Sequence, residues 1–210
     1  MIKQALNLVI PRYCICCSKR ILKSYLCDSC FNYINLKKEV ISGLPHIKKV
    51  VCLFEFTEII QKIIHFLKYN EFTQTPNIME RFHHHIVDLF QNINIDLIVP
   101  VPLYFVKKRE RGYNQSEYIC DILSQILNKP RNTKLFKRDV FTKSQTKLNK
   151  SQREANVKDV FSYTGKDSIY DKTVLIVDDV YTTGSTLNEV AKVAYKVTEK
   201  DVFGFTLARA

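Results

Sequence analysis

A chain of 210 residues, 46% of them hydrophobic, can bury one full core and still leave a small appendage that needs a metal to hold its fold. Thirty-two Lys and Arg against 21 Asp and Glu leave a net charge of +11, so polyanions are the partners that charge favours. No apolar run is long enough to span a bilayer, and no internal repeat or low-complexity segment is present, so membrane insertion and repeat architectures are not expected.

Nearest the N-terminus, Cys14-x2-Cys17-x9-Cys27-x2-Cys30 forms two short knuckles separated by a loop. Four thiolates at that spacing suit tetrahedral Zn²⁺. Cys16 offers a second register, but Cys14 with Cys17 repeats the two-residue gap of Cys27 and Cys30, which leaves Cys16 a bystander. The competing arrangement is a pair of disulfides, which needs an oxidising compartment. The apolar run at residues 6–10 is short and broken by Asn7, too weak for a signal peptide, so a reducing cytoplasmic setting is expected. Residues 1–45 therefore read as an N-terminal helix and a four-cysteine zinc ribbon, closed by the turn Ser42-Gly43-Leu44-Pro45. Residues 46–210 read as a second domain.

In that domain, apolar runs predict strands at 50–56, 96–100, 158–163, 172–178 and 201–208. Helical periodicity predicts helices at 59–69, 77–91, 115–127 and 185–198. Such alternation implies an α/β fold with a mostly parallel sheet flanked by helices. Cys52 and Cys120 fall inside these elements as ordinary buried thiols. His83, His84 and His85 are adjacent on a helix and so diverge by about 100° each, which keeps them from facing one metal ion. Lys68 closes the helix at 59–69, where the helix dipole accounts for a cation, and it is left out of the site.

After the strand at 96–100 come Pro102 and Leu103, then the basic segment Lys107-Lys-Arg-Glu-Arg-Gly-Tyr-Asn-Gln115. Arg109, Arg111 and the backbone around Gly112 could supply charge and N–H donors to an anion; by itself the segment reads better as a solvated basic turn, a preference that the adjacent fold reverses. Residues 131–153 carry eight basic residues against one acid, Asp139, with no clear periodicity, and read as a mobile basic loop. A basic groove suits a nucleic-acid backbone as well as a diphosphate. The interspersed Tyr104, Phe105, Tyr113, Phe136 and Phe141 could stack unpaired bases, but read first as packing residues.

The densest signal is Thr-Val-Leu-Ile-Val-Asp-Asp-Val-Tyr-Thr-Thr-Gly-Ser-Thr at 173–186. An unbroken apolar run suits a parallel strand buried on both faces, and ligands of open α/β sheets bind at the carboxyl ends of such strands. Thr182, Thr183, Gly184, Ser185 and Thr186 place small hydroxyls and closely spaced N–H groups just before a helix, where free amides and the dipole favour a phosphate. Asp178 and Asp179 would repel that phosphate and suit sugar hydroxyls or the waters of Mg²⁺ instead. A 5-phosphoribosyl group presents both needs in one ligand.

The stretch resembles the 5-phosphoribosyl-1-diphosphate (PRPP) motif of type I phosphoribosyltransferases, with Tyr181 in the motif's free slot. The resemblance implies that Asp178, Asp179, Val180, Tyr181 and residues 182–186 bind PRPP with Mg²⁺. It further implies that Arg109, Arg111 and Gly112 form the pyrophosphate loop, and that Lys143, Lys147 and Arg153 lie on a flexible loop that closes over the ligand. The four-cysteine ribbon, the Pro100-Val-Pro-Leu103 strand end, Arg111-Gly-Tyr-Asn-Gln115, and Gln145-x2-Leu148-x4-Arg153-x2-Asn156 followed by Phe161 together resemble the ComF late-competence family. That family is associated with handling incoming single-stranded DNA in the cytoplasm during natural transformation, and its ribbon could engage proteins of the competence machinery. No base-selecting pocket is legible, so the motif implies binding more firmly than transfer and names no catalytic residue. The alternatives are an active transferase moving ribose 5-phosphate to a base or amine, and a zinc-ribbon adaptor with a vestigial PRPP site.

Overall fold

The computed structural model describes residues 12–22, 25–69, 78–140 and 157–210. The helix expected ahead of residue 12 and the basic loop carrying Lys143, Lys147 and Arg153 lie outside the described residues.

The domain is built on a five-stranded sheet in the order β3-β4-β9-β8-β5, namely β3 (Leu36–Ile41), β4 (Lys49–Glu55), β9 (Val202–Arg209), β8 (Val174–Tyr181) and β5 (Leu97–Pro100). The last four strands run parallel and β3 pairs antiparallel with β4 at the edge. β8 explains the arrangement. Its residues Val174, Leu175, Ile176 and Val177 are fully buried, as a strand covered on both faces must be. Successive residues feed opposite cores: Leu175 and Val177 join one cluster, Val174 and Ile176 the other.

The first cluster lies under α2 (Glu58–Tyr69) and α6 (Gln115–Leu127). In α2, Ile60, Ile63, Ile64 and Leu67 recur at helical spacing and are buried, each contributing roughly 1.5–3 kcal/mol. The opposite edge of that helix stays polar and delivers Lys68 to the top of the sheet. The second cluster lies under α7 (Ser185–Thr198), whose Leu187, Val190, Ala191 and Ala194 face Val50, Val99 and Ile176. A small antiparallel pair, β6 (Phe136–Arg138) and β7 (Phe161–Tyr163), flanks this side.

The ribbon consists of β1 (Arg12–Tyr13) paired with β2 (Arg20–Ile21), then α1 (Asp28–Asn32). Its Cys14, Leu26, Cys27, Cys30 and Ile34 belong to the same apolar cluster as α2, so it is packed onto the domain.

Three local departures from the sequence expectations have physical reasons. The helix expected at 77–91 is broken into α3 (Ile78–Arg81) and α4 (His83–Phe90) at Phe82, whose buried ring lies 5.1 Å from Phe31 of the ribbon and 5.0 Å from Phe54 of β4. β3 lies before the boundary placed at residue 45 yet is hydrogen-bonded into the main sheet; as an edge strand with exposed Lys37 and Lys38 it lacks the apolar run of its neighbours. The basic segment after β5 forms a short helix, α5 (Phe105–Arg111), closed by Gly112 in the left-handed conformation at φ 82°.

Candidate functional site

β5 ends opposite Val177 of β8, where the Val101 N–H bonds the Val177 carbonyl at 2.8 Å, and β8 runs on beyond it. Beyond them opens a cleft in two parts, of about 440 Å³ and about 170 Å³, which share Lys68, Asp178, Asp179 and Thr186 as walls. The strand expected to stop at residue 178 continues to Tyr181, so both acids lie within regular strand.

Asp178 is held from α6. Asn114 caps that helix by accepting the Ser116 N–H at 3.1 Å, and its own side-chain amide binds the Val101 carbonyl at 2.9 Å. The cap places the Ser116 hydroxyl 3.1 Å from Asp178 Oδ1, which also accepts the Asp179 N–H at 2.9 Å. Burial, reinforced by the neighbouring Asp179 carboxylate, pushes the Asp178 carboxyl up to about 7, against the opposing pull of the Asp179 N–H, Lys68 and Ser116. Asp179 accepts the Val180 N–H at 2.9 Å through Oδ1, and its Oδ2 forms an ion pair with Lys68 Nζ.

The larger cavity is walled by Val180, Tyr181, Thr182, Gly184, Ser185 and Thr186. Gly184 cannot carry a side chain: its φ is 77°, and a Cβ would sit 2.8 Å from the Tyr181 ring and 3.0 Å from Leu44. Its backbone therefore turns tightly into α7 and puts Ser185, Thr186 and Leu187, the first turn of a 14-residue helix, on the cavity wall. The Thr183 hydroxyl does not line the cavity but bonds Ser185 Oγ at 2.5 Å and the Ser185 N–H at 3.3 Å, fixing the turn.

The smaller cavity is walled by Lys107, Arg111 and Arg138. Burial pulls the Lys107 ammonium below its usual value, and the charges of Arg138 and Arg111 add to that pull. Burial likewise lowers the Arg138 guanidinium, with Asp178 opposing. Three cations on the wall of one cavity suit a multiply charged anion. Arg111 was anticipated. Arg109 is exposed and Gly112 serves as the helix cap, and neither lines the cavity. Lys107 and Arg138 were missed. Once the segment is read as a helix, Lys107 and Arg111 fall one turn apart on one face; Arg138 comes from β6, with no local signal. Lys68, set aside as a helix-end cation, lies between the two cavities. The carboxylates and the open cavities beside them fit a Mg²⁺ ion arriving with a phosphorylated ligand, since the hard cation takes oxygen donors and retains waters.

At the ribbon, the sulfurs of Cys14, Cys17, Cys27 and Cys30 lie within 4.8 Å of one another. Cys17 and Cys27 are 3.7 Å apart, close to the edge of about 3.8 Å for a tetrahedron of sulfurs ~2.3 Å from a central ion. The Cys27 N–H approaches Cys14 Sγ at 3.5 Å, and the Cys30 N–H approaches Cys27 Sγ at 3.4 Å. Burial would raise the Cys14 thiol, but N–H groups of Cys27, Cys17 and Cys16 bring it down to about 6, which favours a thiolate ligand. The donor set fits zinc. Cys16 stands outside the four, its thiol pushed up to about 11 by burial. His83 and His84 are exposed and His85 pairs with Lys38 at 3.0 Å, apart from any metal-binding group among the described residues.

Residues 68–198 match the phosphoribosyl transferase domain family. Over 97% of its length the chain is 30% identical to competence protein F of Haemophilus influenzae, and the match covers 94% of that protein. The chain belongs to the ComF branch of the phosphoribosyltransferase family. It is also 28% identical to the DNA utilization protein YhgH of Escherichia coli, over 70% of this chain and 66% of that one, and 30% identical to the competence protein ComFC of Bacillus subtilis over 54% and 45%. In this ComF chain the matched domain begins at Lys68 and ends at Thr198, so it takes in the acids, the cradle and all of α7. The fold is that of type I phosphoribosyltransferases with the small cysteine ribbon added. No helix among the described residues is long and apolar enough to cross a membrane.

Proposed function

We propose that this ComF chain binds PRPP with Mg²⁺ in the two-part cleft and handles single-stranded DNA in the cytoplasm during natural transformation. One observation carries the ligand: the cleft presents an amide and hydroxyl cradle at one end, two carboxylates in the middle and three cations at the other. PRPP carries its 5-phosphate, its diol and its diphosphate in that order. Gly112, Lys143, Lys147 and Arg153 are proposed to act around the diphosphate, whereas Arg109, exposed and on the wall of neither cavity, is proposed for the DNA surface instead. The DNA reading rests on the +11 net charge and on the competence and DNA utilization names of the relatives. The ribbon is proposed to hold one structural zinc and to meet protein partners.

Calorimetric titration with PRPP and Mg²⁺ tests the ligand. Asp178→Asn with Asp179→Asn removes the acceptors for the diol, at about 1.5–3 kcal/mol each, so the affinity should fall tenfold or more with the fold retained. An unchanged affinity would refute the site. Pyrophosphate release in the presence of nucleobases, with and without single-stranded DNA, separates a binder from a transferase.

A further inference from the structure

The strand end offers two carboxylates to a divalent cation, yet one of them already holds a cation of its own. Lys68 Nζ forms an ion pair with Asp179 Oδ2, and among the described residues that oxygen meets no hydrogen-bond donor besides this ammonium. The pair is sheltered: the Asp179 side chain is 9% exposed and that of Lys68 28%. An ion entering against Asp179 must therefore displace the lysine or accept a like charge beside it in a water-poor site.

The end of α2 that carries Lys68 is tied to the cationic wall on both sides of that residue. The Tyr113 hydroxyl, between α5 and α6, donates to the Leu67 carbonyl, and the Arg111 guanidinium lies 5.4 Å from the Tyr69 ring. Lys68 lines both cavities, so its flexible four-carbon stem has a second side on which to place the ammonium, that of an anion seated by Lys107, Arg111 and Arg138.

We propose that Lys68 is an exchangeable latch on the acid pair: it excludes a free divalent ion, and it releases Asp179 when a diphosphate in the neighbouring cavity gives the ammonium a second partner. The lysine thereby makes the binding of ion and diphosphate mutually supportive, and linkage requires each to raise the affinity of the other by the same factor. The inference rests on the PRPP reading above but concerns the order and coupling of binding, which that reading leaves open.

The test uses the full chain, with Mn²⁺ as the spectroscopic ion and inorganic pyrophosphate as the anion. Free Mn²⁺ is followed by electron paramagnetic resonance and corrected for ion–pyrophosphate association in solution. The wild-type chain should bind Mn²⁺ weakly alone and at least tenfold more tightly with pyrophosphate. Lys68→Met should bind Mn²⁺ alone tenfold or more tightly than the wild type, and pyrophosphate should then add little. Lys68→Arg should keep the wild-type pattern. Lys68→Gln gives the same comparison if the methionine variant does not fold. Equal or weaker Mn²⁺ binding by a folded Lys68→Met or Lys68→Gln chain, with the wild type still binding ion and pyrophosphate, would overturn the latch alone. No binding of the pair by the wild type would overturn the ligand reading and the latch with it.

Discussion

Asp178 and Asp179 are neighbours in one strand, yet each answers to a different helix. Ser116 of α6 donates to the first and Lys68 of α2 pairs with the second. The raised value of Asp178, about 7, has a stability consequence whose sign is fixed. Its carboxyl binds a proton more readily folded than unfolded, so its contribution is fully present below the ordinary carboxylate value near ~4 and is lost as the pH rises through about 7. The denaturation midpoint of the ligand-free wild type should therefore fall, relative to that of Asp178→Asn, between about pH 4 and pH 7. Parallel midpoints for the two proteins across that range would refute the assignment. Gly184 makes a second residue-scale prediction. Gly184→Ala forces a Cβ into the Tyr181 ring at an unfavourable φ, and should cost roughly 1–3 kcal/mol in chemical denaturation while weakening PRPP binding. A variant as stable as the wild type would contradict the close approach.

At the scale of elements, the ribbon is too small to build a core of its own, but its apolar residues are continuous with the core under α2. Purified protein should hold one zinc per chain. Cys27→Ser should lose it and loosen the packing of α2 as well as the ribbon. For a domain of this size a loss of even ~2 kcal/mol lowers the midpoint by about 4–8 °C. Elemental analysis without zinc, or thiol counts showing two disulfides, would reject the site. The clustering of four cysteines and the tight turn into α7 were legible in sequence because each is a contiguous motif: two C-x2-C pairs, and an acid pair running into a Thr-Thr-Gly-Ser-Thr turn. Most sheet strands and the helices α2, α6 and α7 were legible from their apolar periods. β3 was not, because an edge strand with three charged residues in a row, Lys37, Lys38 and Glu39, looks like a loop. Neither was the cationic wall. Lys107, Arg138 and Lys68 come from three separate elements and become neighbours only when the sheet and its crossovers are in place. The break at Phe82 was invisible for the same reason, since its cause is Phe31 and Phe54.

For the whole molecule, the excess of 11 positive charges sets how the chain meets a polyanion. Single-stranded DNA should bind with little sequence preference and a steep salt dependence. Lys108 and Arg109 are exposed on α5 and line neither cavity, so Lys108→Gln with Arg109→Gln separates DNA contact from PRPP contact. The double variant should flatten the slope of log K against log salt by about 0.7 per lost contact and leave PRPP affinity alone. An unchanged slope would remove α5 from the DNA surface. The rim of the cleft also has an optical use. The sequence contains no tryptophan, and Tyr69, 65% exposed beside Lys68, has its ring under the Arg111 guanidinium. Tyr69→Trp would give the chain a single indole that can be excited to the red of its tyrosines, and any ligand that draws Arg111 or Lys68 away would change its emission during a stopped-flow mixing experiment.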